Sequence, residues 1–181
     1  MSKVKPMTIH YISDFRAINE LNHLLNHIKY ITRASSLPIT NIPPDYPKIW
    51  KERFQFEKSI RKDAQLAITF NMALPNDRIN DTNFFEDVAT FISEFFNLAP
   101  NTINYAVHRN DPNNIHIHIV MYPRTKEGKK LRTRGTLSQF HMSWRKFLEL
   151  YGYSIKQDDI KLDHIGYKRP KDLQKYYELQ N

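Results

Sequence analysis

Residues 104–124 read N-Y-A-V-H-R-N-D-P-N-N-I-H-I-H-I-V-M-Y-P-R, and the pairing of their two halves decides the fold. Side chains alternate across a strand. In the second half Ile115, Ile117, Ile119 and Met121 therefore share one wholly apolar face, while His116, His118 and Val120 share the other. In the first half Ile103, Tyr105 and Val107 alternate with Asn104, Ala106 and His108. Between them, Arg109-Asn110-Asp111-Pro112-Asn113-Asn114 is a cluster of turn formers that suits a hairpin loop. A turn centred on Pro112 sets His108 opposite His116 and Val107 opposite Ile117, with the two apolar faces on the same side. Opposed Cβ atoms lie roughly 4.5–5.5 Å apart, so three imidazoles can converge on one point. Such a cluster suits Mn, Fe, Co, Ni, Cu or Zn, and ligand type alone does not choose among them.

The remaining totals narrow the function. With 181 residues, 40% hydrophobic and 25% charged, the chain reads as one globular domain, with a core over about 7–164 and a basic polar tail at 165–181. A net charge of +8 points to a polyanionic partner, nucleic acid first. The absence of cysteine excludes disulfides and thiolate chemistry and fits a cytoplasmic setting. No apolar run reaches membrane-spanning length. Four glycines in the whole chain leave no Gly-rich phosphate loop, hence no expected nucleotide cofactor.

Residues 7–13 have the alternation of a short strand. Ser13-Asp14 then offers a helix cap, and helical periodicity over 16–35 gathers Ile18, Leu21, Leu24, Leu25, Ile28 and Ile31 on one side. Tyr30 falls nearly opposite, beside His23 and His27. The proline-rich 37–50 predicts a loop or flap with Trp50, Phe54 and Phe56 anchoring its far end, and 51–62 a partly helical segment. A strand over 65–74 stops at Pro75. Asp81 or Thr82 caps a helix to about 97 that buries Phe84, Phe85, Val88, Phe91, Ile92 and Phe95. After the histidine hairpin, Arg124, Lys126, Lys129, Lys130, Arg132 and Arg134 form a basic run able to hold a phosphate backbone. A last helix, from about 136 to 151, buries Phe140, Trp144, Phe147, Leu148 and Tyr151, carries His141 as a structural residue, and ends at Gly152. The order β-α-β-α-β-β-α predicts an α+β fold: an antiparallel sheet of about five strands with helices packed on one face, the histidines lining the face or edge left open.

The spacing His108-x7-His116-x-His118 resembles the metal motif of MobA/MobL-type (MobQ-like) plasmid relaxases, within the histidine–hydrophobe–histidine endonuclease superfamily. Three other stretches agree in order: Lys29-Tyr30-Ile31-Thr32-Arg33 on a helix after the first strand, Ala73-Leu74-Pro75 after the second, and Trp144-Arg145-Lys146-Phe147 ahead of a Gly152…Ile160-Lys161-Leu162-Asp163-His164 stretch. The resemblance covers about 7–164. It implies a five-stranded antiparallel sheet flanked by helices, and nicking of one DNA strand at a plasmid origin through a 5′-phosphotyrosine link that a later strand transfer reverses. It makes Tyr30 the nucleophile and the triad the holder of a divalent ion, Mn or Mg, with single-stranded DNA (and an adjacent hairpin) and accessory mobilisation or replication proteins as partners. His23 or His27, two turns and one turn before Tyr30, would assist as a base. Lys29, Arg33, Arg109 and the basic run would contact DNA. Relatives often place a glutamate just before A-L-P to orient a metal histidine; here Asn71 would take that place more weakly.

Three other functions suit the same residues. A rolling-circle replication initiator would use one chemistry with this one, and none of the ten tyrosines has a second tyrosine four residues away, as two-tyrosine initiators require. A non-catalytic nucleic-acid-binding module would bind without metal and form no covalent product, and a zinc hydrolase would survive loss of Tyr30.

Overall fold

The computed structural model describes residues 5–6, 10–154 and 160–162. In chain order they form β1 (Lys5–Pro6), β2 (His10–Ile12), β3 (Arg16–Ile18), α1 (Leu21–Ile31), β4 (Ile39–Thr40), α2 (Tyr46–Ile60), β5 (Ala67–Ala73), α3 (Thr82–Phe95), β6 (Ile103–His108), β7 (His116–Met121), α4 (Leu137–Leu150), β8 (Tyr153–Ser154) and β9 (Ile160–Leu162). The main sheet runs β4-β6-β7-β5-β2-β9, with β3 also on β5. Because β7 occupies one edge of β5, β2 and β3 are two segments of a single lane on its other edge. The lanes from β4 to β2/β3 are antiparallel, as expected, and β9 adds a parallel one. β1 and β8 pair separately, in parallel. The expected tail at 165–181 and most of the expected first strand lie outside the described residues.

The histidine hairpin has the register expected of a turn centred on Pro112. His108 faces His116, Val107 faces Ile117, and Ala106 faces His118. Ile117, Ile119 and Met121 join Tyr105, Val107, Ile68, Phe70 and Met72 in a core closed by α3 and α4. On the reverse side Val120, Ala106 and Ala67 pack with Leu24, Ile28 and Ile31 of α1 and Trp50 of α2. The expectation of helices on one face is therefore corrected: the sheet is covered on both. Small residues at Ala67 and Ala106 leave room there for α1, so the triad lies on a helix-covered face rather than an open one.

Two further corrections concern local structure. Helix α1 starts at Leu21, not near 16, because Arg16–Ile18 is drawn into the sheet opposite Thr69, Ile68 and Ala67. The edge of β5 has hydrogen-bonding groups to satisfy, and that demand overrides helical periodicity. Ser13, expected to cap the helix, instead accepts the Asn71 N–H at 2.8 Å. The proline-rich segment is also more ordered than a flap. Ile39 and Thr40 pair with Val107 and Ala106, and α2 begins at Tyr46. Pro47 is tolerated because the first helical turn needs no N–H donor.

Elsewhere the local signals suffice. Asp81 caps α3 by accepting from the Phe84 N–H at 3.0 Å, and Gly152 takes φ +80° after α4, a conformation that a side chain would strain. Phe140 of α4 is fully buried. Its ring lies 5.1–5.6 Å from those of Phe15, Phe70, Phe91, Phe95 and Phe96. Phe140→Ala should cost roughly 3–5 kcal/mol of stability, read as a lower urea midpoint with an unchanged slope. A loss below about 1 kcal/mol would mean that this cluster does not hold α4 to the sheet. Among the described residues no helix is long and apolar enough to cross a membrane.

Candidate active site

Each histidine of the triad is set by its strand position and steered by a backbone carbonyl or by burial. His108 ends β6, and its Nε2–H donates to the Ile31 carbonyl at 2.7 Å, leaving Nδ1 with the free lone pair. His116 opens β7, and its Nδ1–H donates to the Asn114 carbonyl at 2.9 Å, leaving Nε2. Fixing one nitrogen this way selects the tautomer and aims the other. His118 is only 9% exposed, and its Nε2 is buried with no hydrogen-bond partner among the described residues. The ring centroids lie 4.3–5.0 Å apart, and one nitrogen from each ring falls within 4.8 Å of the others. Metal–nitrogen bonds of about 2.0–2.1 Å bring two ligands to within about 4 Å of each other, so small ring rotations complete a site. An unpaired buried nitrogen is costly unless something binds it, and the donor set fits a divalent metal ion.

The electrostatics fit as well. Burial, followed by the charges of His108, His116, His27 and Arg33, pushes the His118 imidazole down from 6.5 to about 2. His108 is also lowered, chiefly by burial. Metal ligation requires neutral imidazole, which these environments favour. Asn71 stands directly opposite His118 in the β5–β7 register, and its Oδ1 is buried without a partner. A carboxylate there would accept from a metal-bound histidine more strongly than the amide does. Asn71→Glu is thus expected to tighten Mn²⁺ binding about 10-fold, measured by calorimetric titration, and unchanged or weaker binding would remove Asn71 from the site's outer layer.

Helix α1 delivers the other residues. Its buried side consists of Leu24, Ile28 and Ile31, and the bond from His108 to Ile31 anchors its last turn beside the triad. Tyr30, next along the chain, is 55% exposed and therefore open to a large substrate. His27 is half-buried, with its ring 6.5 Å from that of His118. Burial first, and then His23, lower its pKa, which favours the form able to accept a proton.

The basic residues divide. Lys126, Lys129, Lys130, Arg132 and Arg134 are exposed, the first two on a tight turn at 125–129 closed by the Thr125 N–H to the Lys129 carbonyl at 2.9 Å. Lys29 is exposed on α1. Arg124 instead turns inward and grips Glu57 through Nε and Nη2 at 2.9 and 2.8 Å, and the Tyr122 hydroxyl donates to the same carboxylate. Burial alone would raise the Glu57 pKa, but these partners hold it below its ordinary value. Arg109 donates to the Leu37 carbonyl at 3.0 Å and to Asn80 Oδ1 at 2.6 Å. Sequence reasoning passed over Glu57, which lies 67 positions from Arg124 and carries no motif. His141, read as structural, is fully buried in α4.

The structure is thus a two-sided α+β sandwich with a histidine triad on the adjacent strands β6 and β7 and a tyrosine-bearing helix bonded to that triad. Residues 20–175 match the MobA/MobL family. The chain belongs to the MobA/MobL family, and as a member it is a relaxase, a single-strand DNA endonuclease acting in DNA mobilisation at an origin. Its fold is similar to the MobM relaxase domain (MOBV; Mob_Pre) bound to 22 nucleotides of plasmid pMV158 origin-of-transfer DNA, a manganese-bound crystal structure at pH 5.5. That comparison has a TM-score of 0.60 and 18% identity, covering 91% of this chain and 98% of the other. A complex of the same domain with 26 nucleotides gives 0.59 and 17%, with the same coverage. At these identities the likeness is one of fold. No curated protein sequence matches the chain.

Proposed function

We propose that Tyr30 is the nucleophile of this relaxase and that His108, His116 and His118 hold its divalent ion, Mn or Mg. The observation that carries this reading is the hydrogen bond from His108 to the Ile31 carbonyl, which ties the residue after Tyr30 to a metal ligand. When bound, the ion supplies charge neutralisation and orientation at the scissile phosphate. Tyr30 Oη attacks phosphorus, its proton passing to His27 or solvent. The new bond is phosphorus to Tyr30, and the bond broken is that to the 3′ oxygen, which leaves and takes up a proton. The product is a 5′-phosphotyrosine and a free 3′ hydroxyl. Attack by a 3′ hydroxyl reverses the step, so rejoining needs no nucleotide energy.

The exposed cations at 126–134 and Lys29 would track single-stranded DNA, with a hairpin beside the nick site and accessory mobilisation proteins as further partners, in the cytoplasm where plasmid DNA lies. A rolling-circle initiator role rests on the same chemistry and is separated by the DNA cut. In the test, the protein is incubated with Mn²⁺ and pools of single-stranded oligonucleotides labelled at either end. A 3′ label that stays with protein through denaturation, and a 5′-labelled fragment ending in a free hydroxyl, support the reading. Cleavage with both fragments free points to metal-bound water, and binding with no cut to a plain DNA-binding module.

A further inference from the structure

Arg33 occupies an unusual position. Its guanidinium carbon lies 3.9 Å from the centroid of the Tyr30 ring, and Nη1 donates to the Tyr30 carbonyl at 3.1 Å. The segment that carries it is pinned at both ends, to the last residue of β6 and to the residue that follows it. Ile31 accepts from His108, and at the other end the Ser36 carbonyl accepts the Arg109 N–H at 3.0 Å. Ser36, itself fully buried, donates its hydroxyl to the Arg33 carbonyl at 2.7 Å. Arg33 is therefore held against the tyrosine, on a segment anchored beside the triad, and its charge bears on His108 and His118.

A half-buried cation beside a divalent-ion site opposes metal binding, because like charges repel more strongly where water is partly excluded. Among the described residues no carboxylate pairs with it; the salt bridges there are Arg61–Asp63, Arg78–Asp81, Arg124–Glu57 and Arg145–Glu149. The arrangement becomes favourable when an anion lies between the two positive centres. A phosphodiester offers two non-bridging oxygens, one for each, and a guanidinium presents its edge N–H groups to such an oxygen while its face stays on an aromatic ring.

Resting on the assignment of Tyr30 as nucleophile, we propose that Arg33 is a further catalytic residue: it holds one non-bridging oxygen of the scissile phosphate while its flat face keeps the Tyr30 ring in place for attack. One side chain thereby couples nucleophile and electrophile. Loss of a preorganised charge at a reacting phosphate costs rate rather than folding.

The test uses the full chain with Arg33→Ala, Arg33→Lys and Tyr30→Phe, and three readouts: single-turnover nicking of a 3′-labelled oligonucleotide, Mn²⁺ affinity without DNA, and melting temperature. Arg33→Ala should lower the nicking rate by about 10²–10³-fold while Mn²⁺ binding without DNA stays equal or tightens. Arg33→Lys, which keeps the charge without the planar face, should fall between the two in rate. Wild-type nicking by Arg33→Ala overturns the proposal. So does a joint loss of nicking and metal affinity in both Arg33 variants, the signature of a merely structural residue. Covalent product from Tyr30→Phe overturns instead the nucleophile on which the proposal rests, and is distinguished by normal metal binding in that variant.

Discussion

Tyr30→Phe should abolish the covalent protein–DNA product while leaving fold and metal affinity intact. The phenol oxygen is the only atom removed, and the ring remains available to the Arg33 guanidinium at 3.9 Å. Tyr30 is 55% exposed and buries little that stability depends on, so the melting temperature should move by no more than a degree or two. The rate should fall on the order of 10⁴-fold or more, as it does when a nucleophile is deleted and only binding and electrostatics remain. A 3′-labelled oligonucleotide followed on a denaturing gel reads both product and rate. Residual covalent product would transfer the nucleophile to another group, with the neighbouring imidazoles His23 and His27 the first to replace.

The second large effect is expected at the triad. His118→Ala should weaken Mn²⁺ binding by at least about 10²-fold, more than changes in the layer outside the ligands usually do, and should lose metal-dependent nicking with it. The reason is position: of the three proposed ligands, His118 has a buried nitrogen that no described residue satisfies, so its lone pair has no better use. Metal removal by EDTA should reproduce the loss and Mn²⁺ should restore it in the wild type alone. Full nicking by His118→Ala at saturating Mn²⁺ would show that the ion sits elsewhere.

The same residues set a pH dependence of stability with a definite sign. The folded pKa of His118 lies near 2 against an ordinary 6.5, through burial first and then neighbouring charge. His108 and His27 are lowered as well. Groups whose pKa falls on folding bind more protons when unfolded. Their contribution is complete above about pH 6.5 and is lost progressively as pH falls below it. In EDTA the melting temperature should therefore be flat near pH 7 and decline from about pH 6.5 to pH 5. His118→Ala should decline less steeply, and identical slopes would exclude His118 as the source.

The fold's centre was legible in the sequence because its determinants are local. Alternation in 103–108 and 115–121 has period two, and a register slip of one residue would have turned Ile117 and Ile119 away from the face they share with Tyr105 and Val107. That requirement, with the turn centred on Pro112, placed His108 opposite His116. The buried stripes of α3 and α4 followed from period 3.6 in the same way, with Asp81 and Gly152 marking ends. Where a segment's fate depended on an unseen neighbour, local pattern misled. Arg16–Ile18 fits a helix by periodicity, yet the open edge of β5 claims it, and Pro47 suggests a loop until Tyr46–Ile60 shows it inside a helix's first turn.

The sequence by itself determined the clustering of the three histidines, the outward face of the helix that carries Tyr30, and the net charge, since these follow from residue type and from spacing along individual strands and helices. Only the tertiary structure decided which face of the sheet α1 covers and what lies at its end. It bonded His108 to Ile31 and gave Arg124 to Glu57 rather than to solvent. Those contacts join residues tens of positions apart, and their partners are chosen by packing volume and by unsatisfied polar groups, which no periodicity along the chain records.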